Sequence, residues 1–180
     1  MRTVTYLFPV LMVVGMPAFA APAAEPVVAV AQARQLTPGL LVSGQPTPEA
    51  LEQAKARGFR TVINLRAPGE AGAWEEGPKA LSLGLRYLAL PIPNAEALTE
   101  ENARRLAAVL NDPESAPVLL HCATGNRAGA LLALKAGLVD GLPASAAIAL
   151  GRDAGMTKPA LEAAVRSRLG AAAKTEQAGR

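Results

Sequence analysis

The chain has 180 residues with 18 Lys and Arg against 15 Asp and Glu, a formal net charge of +3, and is 51% hydrophobic but 3% aromatic. A balance this close to neutral excludes a polybasic surface for nucleic acid or an anionic membrane, and the apolar content excludes a chain too polar to fold. A single Cys and a single His exclude an internal disulfide and, lying side by side, a metal-ligand set, so no metal and no cofactor are expected.

Residues 1–20 open with Arg2, run apolar from Val4 to Met16 and end in Ala18-Phe19-Ala20. That order predicts a secretory signal peptide cut after Ala20. The run contains Pro9 and falls short of the ~20 residues a spanning helix needs, so no stable membrane insertion is expected after cleavage. The mature chain is therefore expected in the periplasm or secreted. Cleavage leaves 160 residues (180 − 20) and 17 basic residues (18 − 1) against 15 acidic ones, enough for one domain with a core of Ala, Leu and Val. Residues 21–39, Ala/Pro-rich at their start, read as a flexible linker, 40–169 as the domain and 170–180 as a flexible tail.

Within the domain, LLVSGQ (40–45) reads as a strand. TPEALEQAKARG (47–58) has a Thr cap, Pro at the first helical position and a closing Gly, a complete helix signal. FRTVINL (59–65) is a β-branched strand, and a polar connection, APGEAGAWEEG, leads to a short helix near Pro78 to Leu83. LRYLALPI (85–92) is a third strand, TEENARRLAAVLND (99–112) a capped helix, and APVLLH (116–121) an apolar run of buried-strand type. AGALLALKAG (128–137) continues as helix, and the remainder reads as two further Ala-rich helices. Alternating strands and helices predict an α/β fold with a central, mostly parallel sheet flanked by helices in three layers.

In such sheets ligands gather where strands run into helices. HCATGNRAG (121–129) stands at that point after the last strand and holds the chain's only His and Cys, His121 and Cys122. The N–H groups that open a helix favour negative charge, Gly125 allows the backbone to curl, and Arg127 adds a planar cation suited to tetrahedral oxyanions. A thiolate formed there is a nucleophile at the mouth of an anion cradle.

The segment HCATGNRAG resembles the active-site loop of the cysteine-dependent protein tyrosine phosphatase superfamily. Together with SGQPTPE (43–49), TVINLR (61–66) and HCATGNRAGALLAL (121–134), the chain is similar to one bacterial branch, the beta-lactamase hydrolase-like phosphatase-like domain family. The resemblance covers residues 40 to about 157 and implies a protein tyrosine phosphatase-like fold and hydrolysis of phosphomonoesters, phosphotyrosine among them. The substrate would be a small-molecule or protein phosphomonoester. Carried onto this sequence, it makes Cys122 the nucleophile that forms a phosphocysteine. Arg127 and the loop of Ala123, Thr124, Gly125 and Asn126 would bind the oxyanion, and His121 would fix the loop from behind.

Three features depart from the superfamily's pattern. Four residues separate Cys122 from Arg127 where tyrosine phosphatases mostly have five, and Ala128 stands where many have Ser or Thr. The loop PIPNAEALT (91–99), expected to supply a general acid, has Asn94 and only then Glu96, with Glu70 in the APGEAG connection as another weak candidate. The short spacing leaves open a rhodanese-like sulfurtransferase carrying a Cys122 persulfide, and the missing acid leaves open a non-catalytic oxyanion-binding domain. Arg66 and Gln45, at the ends of two other strands, are expected either to flank the same pocket or to be ordinary surface groups. Trp74 is expected either to wall the pocket or to anchor its long connection.

Overall fold

Four strands form where apolar residues alternate or run together: β2 (Leu40–Ser43), β3 (Thr61–Asn64), β4 (Arg86–Ala89) and β5 (Val118–His121). They belong to a computed structural model that describes residues 30–72 and 74–178. The proposed signal peptide, residues 1–20, lies outside the described residues. A fifth strand, β1 (Arg34–Thr37), precedes the others. The sheet order is β1-β2-β5-β3-β4, with β1 antiparallel to β2 and the other neighbours parallel.

Among the described residues, six helices surround the sheet: α1 (Pro48–Ala56), α2 (Glu76–Ser82), α3 (Glu100–Leu110), α4 (Asn126–Leu134), α5 (Ala144–Asp153) and α6 (Pro159–Ala178). The caps expected from sequence are present: Thr47 accepts the Ala50 N–H at 3.2 Å and Thr99 accepts that of Asn102 at 3.2 Å, each satisfying a donor the helix leaves free. α4 runs on as a π-helical segment, Lys135–Val139.

Two boundaries differ from the sequence reading. Within the expected linker 21–39, residues 34–37 form the edge strand β1, pairing Arg34 with Val42 and Gln35 with Leu41. Backbone pairing along the edge of β2, with Leu36 packed on the core, overrides a polar local sequence. Within the expected tail 170–180, α6 continues to Ala178; alanines 171–173 carry high helix propensity.

The period of two along each strand distributes side chains between two layers. Val42, Ile63, Val118 and Leu120 join the core under α3, α4, α5 and α6, whereas Leu41, Val62 and Leu119 pack with α1 and α2 residues such as Leu51 and Ala80. Continuing the alternation, Asn64 and His121 fall on the α1/α2 side. Register brings Ser43, His121 and Asn64 level across β2, β5 and β3, so polar groups meet at the carboxyl end of the sheet.

Candidate active site

Cys122 follows β5 directly and its side chain is fully buried, while Ala123 and Thr124 are exposed. The turn is closed by Gly125, which caps α4 with φ +79°, a conformation that favours glycine over residues with a Cβ. The first intrahelical donor of α4 is the Gly129 N–H, bonded to the Gly125 carbonyl at 2.9 Å. The N–H groups of residues 126–128 therefore have no acceptor within the helix. The end of β2 braces the loop: Ser43 O accepts the Cys122 N–H at 3.4 Å and the Gln45 N–H donates to Ala123 O at 3.2 Å. A Cβ on Gly44 would lie 3.1 Å from Ala123 O, so the approach depends on a small residue there.

Arg127 is held as a fork. Its two terminal nitrogens donate to Glu70 Oε1 at 2.6 Å and Oε2 at 2.8 Å, and one also donates to Ile92 O at 2.9 Å. Such a bidentate pair is charge-assisted and directional. The Arg127 hydrogen bonds pull the Glu70 carboxyl from its ordinary value down to about 2, with burial opposing and the Ala67 N–H and Arg66 adding to the effect. In return Glu70 foremost, with the neighbouring Cys122 contributing, raises the pKa of Arg127.

Arg66 is 5% exposed and sits in the same cluster. It donates to Gln45 Oε1 at 2.6 Å, to Ala71 O at 2.6 Å and to Glu70 Oε2 at 3.3 Å. Gln45 and Arg66 thus belong to the hydrogen-bonded cluster beside the loop rather than to the open surface: Arg66 meets Arg127 through Glu70, and Gln45 in turn holds Arg66 and Glu76. Trp74 anchors its connection through an Nε1–H bond to Pro46 O at 3.1 Å.

Asn126 is not turned into the cradle by its side chain. Its Oδ1 accepts the N–H groups of Thr157 and Lys158, each at 2.8 Å, tying the start of α4 to the chain entering α6. Its Nδ2 reaches Thr124 Oγ1 at 3.3 Å.

Neither expected acid is presented as one. Glu70 is engaged by two arginines and its carboxyl is held down to about 2, and Glu96 is exposed, its backbone carbonyl accepting from Arg168 at 3.3 Å. Asn94 caps its own turn by accepting the Ala97 N–H at 3.2 Å.

The sequence reading missed Glu76 and Asn64. Glu76, 2% exposed, accepts from Gln45 Nε2 at 2.9 Å and Asn64 Nδ2 at 3.2 Å, and its other oxygen stands 2.8 Å from His121 Nε2. Asn64 Oδ1 in turn accepts the Arg66 N–H at 2.8 Å. The one available signal was the strand parity that turns both His121 and Asn64 toward α2.

Known proteins are similar to this chain. A beta-lactamase hydrolase-like protein of Xylella fastidiosa (strain Temecula1) is 34% identical over 106 residues, covering 57% of this chain and 24% of that protein. The chain thus spans about a quarter of that relative's length. Among solved structures, a DUF442 protein from Shewanella putrefaciens CN-32 aligns with a TM-score of 0.62 at 23% identity, covering 79% of this chain and 91% of that one. P. aeruginosa TpbA aligns with a TM-score of 0.61 at 19% identity, covering 83% and 88%, and a variant of it has been solved in complex with pTyr. These alignments bear out the three-layer, protein tyrosine phosphatase-like fold. The model of the family described as DSP-PTPase phosphatase fused to NAD+ kinase matches residues 14–159, and the chain belongs to that family.

Proposed function

We propose that this chain is an exported cysteine-dependent phosphatase that hydrolyses phosphomonoesters, phosphotyrosine among them. The observation that carries the reading is the seating of Cys122 at the opening of α4 beside an Arg127 fork locked by Glu70. The Cys122 sulfur attacks phosphorus, the phosphorus–oxygen bond to the leaving group breaks, and a phosphocysteine forms. Arg127 and the loop amides from Ala123 to Arg127 hold the three equatorial oxygens. Water then attacks phosphorus, the sulfur–phosphorus bond breaks, and phosphate leaves with the thiolate restored.

With Glu70 ionised and clamped, the leaving oxygen takes its proton from solvent. Aryl phosphates, whose leaving groups need that proton least, are the expected substrates, in keeping with the pTyr bound to a TpbA variant. Export rests on the leader at residues 1–20, and the site as drawn needs no cofactor. The four-residue spacing from Cys122 to Arg127 favours one second reading, a rhodanese-like sulfurtransferase in which Cys122 carries a persulfide.

A paired assay on reduced protein decides between them. Phosphate release from an aryl phosphate is compared with thiocyanate formation from thiosulfate and cyanide, each against Cys122→Ser. Phosphate release is expected, falling to background in Cys122→Ser with the fold intact. Cysteine-dependent thiocyanate without phosphate release would sink the phosphatase reading.

A further inference from the structure

Behind the cysteine loop lies a carboxylate that the reaction above does not use. Glu76 opens α2, and its Oε2 already accepts two amide N–H groups, from Gln45 and Asn64. Its Oε1 stands 2.8 Å from Nε2 of His121, whose side chain is fully buried. The contact is close but outside hydrogen-bond alignment, and neither atom has another partner. The other ring nitrogen, Nδ1, lies 3.4 Å from the Cys122 carbonyl oxygen.

Both ring nitrogens therefore face acceptors. A ring N–H directed at either acceptor fixes the orientation of the imidazole, and Glu76 is the group placed to fix it at the Nε2 edge. The other charged groups nearby are committed elsewhere: Arg66, on the connection from β3 to α2, and Arg127, on α4, both bind Glu70. Tyr87, on β4, accepts from Asn64 at 2.9 Å.

We propose that Glu76 is a positioning residue for Cys122, holding the Nε2 edge of His121 so that the other edge of the ring braces the Cys122 carbonyl. Its effect on turnover rests on the phosphatase reading above; its effect on His121 does not. Because His121 is the only histidine, a full chain labelled with nitrogen-15 in its histidine ring gives one pair of ring signals.

That pair of signals is expected to shift in Glu76→Gln and to move part of the way back toward the wild type in Glu76→Asp. With an aryl phosphate, Glu76→Gln lowers kcat on the order of 10-fold with little change in KM, as for other groups that orient a reacting residue from behind.

A wild-type kcat in Glu76→Gln, or a kcat in Glu76→Asp no better than in Glu76→Gln, would overturn the proposal. An unchanged ring spectrum in Glu76→Gln would overturn it as well. If the wild type releases no phosphate while the ring signals behave as expected, it is the phosphatase reading that fails and the role of Glu76 stands.

Discussion

The cysteine loop is gripped from two sides by regions of opposite character. On one side, the connection from β3 and the opening of α2 bring Asn64, Arg66, Glu70 and Glu76 into one polar cluster that ends on Arg127 and His121. On the other, α4 meets α5 through glycines so closely that a Cβ on Gly129 would lie 2.5 Å from Gly151 O and 2.6 Å from Met156 N. The polar side aims donors, since each of its contacts is directional and replaceable only by a group of the same geometry. The apolar side fixes where the N-terminus of α4 stands, because backbone packed on backbone has no rotamer with which to yield. Asn126 ties the loop to the segment that follows α5, with Nδ2 on Thr124 and Oδ1 on the chain entering α6.

The strongest way to break the polar side is at its end point. Arg127→Lys keeps the charge but cannot make two parallel bonds to Glu70 and also reach Ile92 O. Removing a donor aimed at transition-state charge typically costs ~10²–10³ in kcat, and Arg127→Lys is expected in that range on an aryl phosphate. Thermal stability should change far less than turnover. A variant within a factor of about two of wild-type turnover would mean that the fork holds the fold rather than the oxyanion.

The two sides were unequally legible in the sequence. The placement of Cys122, Gly125 and Arg127 could be read because it depends on neighbours within a few residues, where strand end, turn and helix start are written consecutively. The apolar side was legible as helices, but not as a glycine-mediated crossing, because nothing local indicates which face of α4 meets α5. Glu76 was hidden because its partners are Gln45, Asn64 and His121, groups distant in sequence that only sheet register brings level. Glu70 was visible as a carboxylate but not as the partner of Arg127: a carboxylate in a polar loop looks the same whether it will donate a proton or clamp an arginine. β1 escaped for the same kind of reason, since an edge strand of RQLT is specified by the β2 backbone it covers rather than by its own side chains.

The apolar side is tested by adding one methyl group. In Gly129→Ala the new Cβ meets Gly151 O and Met156 N, backbone atoms that cannot rotate away. Overpacking of this kind costs about 1–3 kcal/mol, large enough to outweigh the ~1 kcal/mol of helix propensity that alanine gains over glycine. Urea denaturation should show the midpoint falling with an unchanged slope. A more stable Gly129→Ala would mean that α4 and α5 slide apart easily and that their crossing does not position the loop.

The smallest expected effect separates charge from shape on the polar side. Glu70 has its carboxyl drawn to about 2, chiefly by Arg127, and a lowered folded-state pKa adds stability at every pH above the ordinary carboxylate value. That contribution is lost as pH falls from the ordinary value through about 2, because the unfolded chain then takes up a proton that the folded one resists. Glu70→Gln keeps the shape and removes the titration. The stability difference between wild type and Glu70→Gln should therefore be flat near neutrality and shrink on acidification. Because the Glu70 side chain is 24% exposed, solvent screening holds the pH-dependent part to about 1 kcal/mol. A difference that stays constant down to the lowest pH at which the protein folds would show that Glu70 matters to Arg127 as a hydrogen-bond acceptor of fixed shape and not as a charge.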